Sequence, residues 1–290
     1  SGIKQIKNLN IDNVNMVTET EVVASDIAEF IVAENGTYEF EVMDIAGNTR
    51  KFSITVTNIN KIPPVITLTE IDTTPTNQDY TVYLKSDKGV FQPFEGAIIS
   101  EDKLSIEYTF SLNGSQDFKV IDKWGNETVK TVTIGHIDKV IPTIAVTRQT
   151  PSWTNKPYNL QVVFKDESGA YNSGIREVIM PDGSKPSLTD GQTSFSIDYL
   201  VSNNGNYNFK VIDVAGNIKE ITYVVDNINY TKPTIEIQYS KHPTNKDLTV
   251  YAKSFDVEGT DITDNMVVSS HTFTQNGTFT FEVTDKWGNE

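Results

Sequence analysis

Aspartate is the residue type whose placement in this sequence most invites chemistry. Asp44, Asp122, Asp213 and Asp285 each open the same five-residue stretch, Asp-x-x-Gly-Asn, while Asp138, Asp166, Glu167, Asp226, Asp256 and Glu258 lie elsewhere in the 290 residues. Carboxylates accept from turn amides, and gathered in numbers they suit a hard cation that takes six to eight oxygens. Paired acids can also act as general acid and base, yet no pair stands apart in a chain with 39 acidic residues. The three histidines, His136, His242 and His271, sit in unlike contexts with no acid or nucleophile repeated beside them. His136 occupies the linker position held by Asn58 and Asn227 in other copies, which reads as a solvated polar residue. No Gly-x-Ser-x-Gly elbow, His-Glu-x-x-His motif or phosphate-cradling glycine loop occurs. With no cysteine, disulfides, thiolate metal sites and cysteine nucleophiles are excluded. These residues point to a protein that is not an enzyme and has no catalytic residue.

Charge narrows the partners. Twenty-four basic residues against 39 acidic ones give a net charge of -15, which repels a phosphate backbone or an anionic membrane surface. No nucleic acid partner is expected. No apolar run approaches the roughly 20 residues of a membrane span, so no membrane insertion is expected within this segment. Ser1-Gly2-Ile3 does not begin a signal peptide.

The aspartates keep register because the sequence repeats. Asn-Gly stands 9 residues before the aspartate in all four copies, at Asn35, Asn113, Asn204 and Asn276. Pro64, Pro142 and Pro233 each follow 16 residues after the Gly-Asn asparagine and open a short apolar stretch. Thr-Asn then recurs at Asn77, Asn155 and Asn245. Proline at the start of a strand forfeits no necessary ladder bond, so the prolines mark repeat starts. The division is 1–63, a partial unit lacking its first strands; 64–141 and 142–232, complete units; and 233–290, a unit lacking its last strand. Ser1-Gly2-Ile3-Lys4 matches Ser173-Gly174-Ile175-Arg176 in mid-copy, which reads as an excerpt from a longer tandem array.

Within each copy the period is two. Tyr38, Phe40 and Val42 share one face and alternate with Glu39 and Glu41; Phe52, Ile54 and Val56 resume the alternation beyond Gly47-Asn48. Two such runs joined by Asp-x-x-Gly-Asn predict a β-hairpin whose glycine takes positive φ. Strands are also expected over Tyr80–Leu84, Leu160–Phe164 and Leu248–Ala252, and only Glu21–Ala33 is ambiguous between strand and helix. Short strands in units of about 80 residues predict an all-β fold of tandem β-sandwiches.

The Tyr/Phe-x-Phe-x-Val-x-Asp-x-x-Gly-Asn hairpin, the Asn/Asp-bearing linker and the Pro-x-Ile restart resemble bacterial immunoglobulin-like (Big-type) tandem repeats of Gram-positive surface and secreted proteins. Ser-Gly-Ile at 1–3 and 173–175 and Trp153-Thr154-Asn155 fit the same family, and the resemblance covers almost the whole chain. It implies tandem immunoglobulin-like β-sandwiches on the bacterial surface or cell wall. The role implied is that of a stalk, an adhesin segment binding host or cell-wall protein or glycan, or a spacer beside a carbohydrate-active enzyme. Neighbouring immunoglobulin-like modules of the parent chain are the first expected partners. A Lys–Asn isopeptide lock, used by some such modules, is not expected, since no lysine recurs within an apolar strand.

In such a sandwich the Asp-x-x-Gly-Asn turn faces the preceding linker. That brings Asp138 toward Asp213 and Asp166-Glu167 at the second junction, and gathers Asp226, Asp256, Glu258 and Asp285 at the third. Calcium is the one candidate cofactor, and Asp226-Asn227-Ile228-Asn229 is similar to the linkers of calcium-bridged cadherin arrays. The first junction offers Asn58 and Asn60 where carboxylates would be wanted. The plainer reading is that the acids cap turns and keep the surface soluble, with no cofactor. Trp124 and Trp287 stand at hairpin tips where Ala46 and Ala215 stand in the other copies. Each is expected to pack on a linker, Trp124 on Ile59 or Pro63 and Trp287 on Ile228 or Tyr230, with stacking on a ligand as the alternative.

Overall fold

A computed structural model describes residues 3–9, 30–149, 152–166, 171–242 and 244–290. The chain divides into two compact units: Ser1–Ile71, Thr81–Thr109 and Ser115–Thr133 form one, and Asp72–Tyr80, Phe110–Gly114 and Ile134–Glu290 the other. The described residues are all-β, arranged in small antiparallel sheets with no α-helix among them. Of the ambiguous stretch Glu21–Ala33, residues 21–29 lie outside the described residues, and 30–33 form neither strand nor helix.

In the first unit, Ile3–Asn8, Gly36–Asp44 and Thr49–Val56 form one sheet. The hairpin expected around Asp44 is present, with Met43 opposite Thr49 and Gly36 opposite Val56. Phe40 is buried against Phe30 and Phe52, but Phe52 and Ile54 are themselves exposed, unlike the inward face foreseen for them. A second pair of sheets follows. Ile66–Leu68, Tyr80–Ser86, Ser105–Phe110 and Ile98–Ile99 make four strands; Glu127–Ile134, Gly114–Ile121 and Val90–Phe91 make three. Val82, Leu84 and Ile106 of the one, and Phe91, Phe118, Val120 and Val132 of the other, are buried.

The second unit holds a fully enclosed core. Thr143–Arg148, Tyr158–Lys165 and Ser194–Val201 form one sheet, and Ile175–Ile179, Gly205–Asp213 and Ile218–Val225 another. Alternate residues Leu160, Val162 and Phe164 meet Val178, Phe209 and Val211 in one hydrophobic cluster. The period-two pattern explains this, since it places every second side chain on the inner face. Pro142 and Pro233 lie immediately before the strands Thr143–Arg148 and Thr234–Gln238, just outside the ladder. In the last copy, Thr234–Gln238, Leu248–Phe255 and Ser270–Phe273 form a sheet. The run Phe279, Phe281, Val283 alternates like Tyr38, Phe40 and Val42 in the first copy, but forms only a single bridge, Val283 to Met266. No later run exists in this sequence to supply its hairpin partner.

One detail ties the sequence repeat to geometry. Ile3 stands opposite Asp44 and Ile175 opposite Asp213, each followed by an irregularity in register. Ile3 and Ile175, the isoleucines of the two Ser-Gly-Ile matches, thus occupy one structural position.

Candidate functional site

The repeated residues converge on the linkers. In each Asp-x-x-Gly-Asn turn the aspartate holds the asparagine twice. Asp213 Oδ1 accepts from Asn217 N and Oδ2 from Asn217 Nδ2, both at 2.7 Å. The same pair of bonds forms from Asn48 to Asp44, Asn126 to Asp122 and Asn289 to Asp285. Gly47, Gly125, Gly216 and Gly288 sit at φ from 85° to 97°, the left-handed region that a side chain would strain. The asparagine amide carries a second hydrogen, which it donates to a linker carbonyl: Asn126 to Asn60, Asn217 to Asp138 and Asn289 to Asn229.

The neighbouring linker residue is gripped from the other side. Asn35, Asn113 and Asn204, the Asn-Gly asparagines, each exchange two hydrogen bonds with the backbone of Ile59, Ile137 and Ile228, always 24 residues on. Thr76 and Thr154, of the Thr-Asn landmark, pair in parallel with Ile137 and Ile228. A linker amide and carbonyl are thus clasped by asparagines from both directions. Reading the sequence singled out these asparagines as landmarks without assigning them this task; their invariant spacing was the available signal.

Around the second linker the clasp encloses charge. Asp138, Asp166 and Asp213 are all buried, and each offers a carboxylate oxygen within 4.8 Å of the others. Asp138 Oδ2 accepts from Ser173 N at 2.7 Å and Asp166 Oδ2 from Gly174 N at 2.7 Å. Asp166 Oδ1 is buried without a hydrogen-bond partner. Burial pushes the Asp166 carboxyl above its ordinary value; the Gly174 amide opposes this, and the charges of Asp138 and Asp213 add to it. Asp213 is raised too, by burial first, against the bonds from Asn217 and with Asp138 adding to the rise.

Strand register identifies the same place in the other copies. Ile66 pairs with Ser86, Ile144 with Phe164 and Ile235 with Ser254, so Lys88, Asp166 and Asp256, each two residues further on, are equivalent. The first linker therefore combines Asn60, Lys88 and Asp122, and the third Asn229, Asp256 and Asp285. At the first, Lys88 Nζ donates to Ile62 O at 2.8 Å. Burial acts to raise Asp122, but the bonds from Asn126 and Trp124 and the Lys88 charge leave it below its ordinary value.

The structure brings together Asp138, Asp166 and Asp213; Glu167 lies outside the described residues. The set expected at the third junction needs correcting. Asp226 is exposed, because the linker residue that meets the turn is Asn229, three positions later. Asp256 accepts from Glu258 N and Thr260 N in its own turn, Asp285 from its own turn and Asn289, and Glu258 pairs with Lys286.

His136 departs from expectation. His136 is buried, not solvated, with its ring edge-on to Tyr80 at 4.6 Å. Asn227, at the same linker position, is buried too and accepts from Tyr158 Oη. A tyrosine at the strand start covers the linker in both. Trp287 is 7% exposed and meets Trp153 edge-on at 5.7 Å, with Lys286 over both rings. Trp124 is 43% exposed, beside Ile59 in an open depression, with Lys123 over its ring. Single-tryptophan variants are expected to show acrylamide quenching severalfold stronger for Trp124 than for Trp287; equal quenching would contradict this arrangement.

No family model matches the sequence, and no curated protein does. Among solved structures, the chain is similar to a Salmonella alpha-2-macroglobulin reacted with methylamine, at 9% identity and a TM-score of 0.20, over 87% of this chain and 23% of that one. It is similar to an Escherichia coli alpha-2-macroglobulin activated by porcine elastase, at 10% identity and a TM-score of 0.21, over 88% and 30%. It is also similar to SGBP-B of the Bacteroides ovatus mixed-linkage glucan utilization locus, solved with a mixed-linkage heptasaccharide, at 14% identity and a TM-score of 0.18, over 97% and 82%. The chain thus spans less than a third of either macroglobulin. Likenesses this remote carry nothing about activity.

Proposed function

We propose that the chain is a non-enzymatic stalk or spacer segment of a bacterial cell-surface or secreted protein, built of tandem immunoglobulin-like modules. The observation that supports this most is the clasp, which recurs at Ile59-Asn60, Ile137-Asp138 and Ile228-Asn229 with the same donors and acceptors. An enzyme gathers unlike residues once, at one cleft. Here the repeated residues serve each linker in turn, which suits a part whose task is to hold successive sandwiches in order. Two-sided hydrogen bonding removes freedom from a linker that would otherwise flex.

Small-angle scattering tests the reading. A single globule of this length has a radius of gyration of about 19 Å, and a spacer is expected well above that. A measured value near that of the globule would defeat the proposal.

A second reading, a recognition module for host protein or glycan, draws support from Trp124, whose indole is exposed beneath a lysine. It requires that an added glycan or protein partner shield Trp124 from acrylamide while leaving Trp287 unchanged.

A further inference from the structure

We infer that Asp138, Asp166 and Asp213 form a calcium site that fastens the second linker to the sandwich that follows it. This stands apart from the spacer reading, since a cation can bind here whatever the chain as a whole does.

Geometry carries the assignment. Two oxygens bound to one calcium at 2.3–2.6 Å lie no more than about 5 Å apart. The three aspartates each offer an oxygen within 4.8 Å of the other two. They come from three separate places: the linker, the loop after Tyr158–Lys165 and the turn after Gly205–Asp213. An ion among them would join all three.

Asp166 supplies a second observation. Its residue exposure is 0%, yet Oδ1 has no hydrogen-bond donor. A buried carboxylate oxygen without a donor is costly, and the two nearest carboxylates can donate nothing when ionised. Every other oxygen of the trio accepts a hydrogen bond from an amide, which fixes its direction while leaving lone-pair capacity for a metal.

The first linker supplies a third. Where Asp166 stands in the third copy, the second has Lys88, and at the linker ahead of it Asp138 is replaced by Asn60. The lysine charge acts on Asp122, the counterpart of Asp213. One joint thus carries a covalently attached cation with a single turn aspartate; the other brings three carboxylates within 4.8 Å of one another. Charge at the second joint is balanced most simply by a mobile cation of higher valence.

The donor set selects the metal. Carboxylate oxygens alone, without histidine or thiolate, disfavour zinc and copper. Three carboxylates from separate loops suit calcium's flexible coordination better than magnesium, which keeps its waters and takes one or two carboxylates.

Titration calorimetry and differential scanning calorimetry on the full chain test the site. Calcium is expected to bind once at this joint with Kd on the order of 10⁻⁴ M, as in extracellular modules. At about 10 mM calcium it should raise the transition of the third repeat by about 10–20 °C over the same protein in chelator. Asp138→Asn installs the residue found at both other joints, and should fold normally while binding calcium at least tenfold more weakly. Asp166→Lys copies the first joint; it should abolish the calcium response while melting in chelator at or above the wild-type temperature. Asp226→Asn, at an exposed position, should keep the full wild-type response. Absence of any heat or melting shift up to 10 mM calcium overturns the site, as does an undiminished response in Asp138→Asn. An equal shift with magnesium overturns the choice of calcium.

Discussion

Phe209→Ala is expected to melt the third repeat, 142–232, far below the rest of the chain. Phe209 is wholly buried, with Tyr199 edge-on at 5.7 Å and Phe164 at 6.5 Å. Removing a buried phenylalanine costs about 3–5 kcal/mol, because the lost transfer energy is joined by that of the cavity left behind. A domain of 91 residues holds about 5–14 kcal/mol in all. The substitution therefore consumes about a fifth or more of its stability and lowers its transition by about 12–40 °C. Calorimetry should show that transition move while the others stay. If every transition moved together, the repeats would not be separate folding units and the tandem reading would be lost.

Asn217→Ala should be the most damaging change in any linker. The amide donates to Asp138 O at 2.9 Å and to Asp213 Oδ2 at 2.7 Å, and all three residues are buried. Alanine leaves a carbonyl and a carboxylate oxygen without their donor, at about 1–3 kcal/mol each, with the charged group at the higher end. The expected loss is about 3–5 kcal/mol, read from denaturant midpoints of the third repeat. Asn48→Ala is the control: Asn48 makes the same bonds to Asp44 but is exposed, where water replaces them. Its loss should be much smaller. Equal losses at the two sites would show that the asparagine serves only its own turn.

Much of this was legible in the sequence, for reasons that can be given residue by residue. Alternation at Leu160, Val162 and Phe164 needs only the pleat of a strand, so the buried face could be read directly. The turn at Asp213 could be read because glycine and asparagine follow at fixed places. Bringing Asp138 and Asp166 to Asp213 required only knowing which end of a sandwich a turn occupies. Three things were missed. Assigning the third linker to Asp226 rather than Asn229 was a slip of three residues that spacing corrects, since Asn60, Asp138 and Asn229 each stand four residues before Pro64, Pro142 and Pro233. Lys88 could have been read as the counterpart of Asp166, since each stands 11 residues after its Thr-Asn asparagine, Asn77 and Asn155, but a lysine is passed over where carboxylates are sought. Trp287 meets Trp153, a residue 134 positions away whose approach no local pattern announces.

The asparagine clasp grips only main-chain atoms of the linker. The side chains at Asn60, Asp138 and Asn229 take no part in it, and neither do those at Lys88, Asp166 and Asp256. Those positions can change without loosening the frame that holds them. Successive hinges of one polymer can therefore answer differently to the ionic milieu: one hinge with its counter-charge built in, the next taking it from the medium.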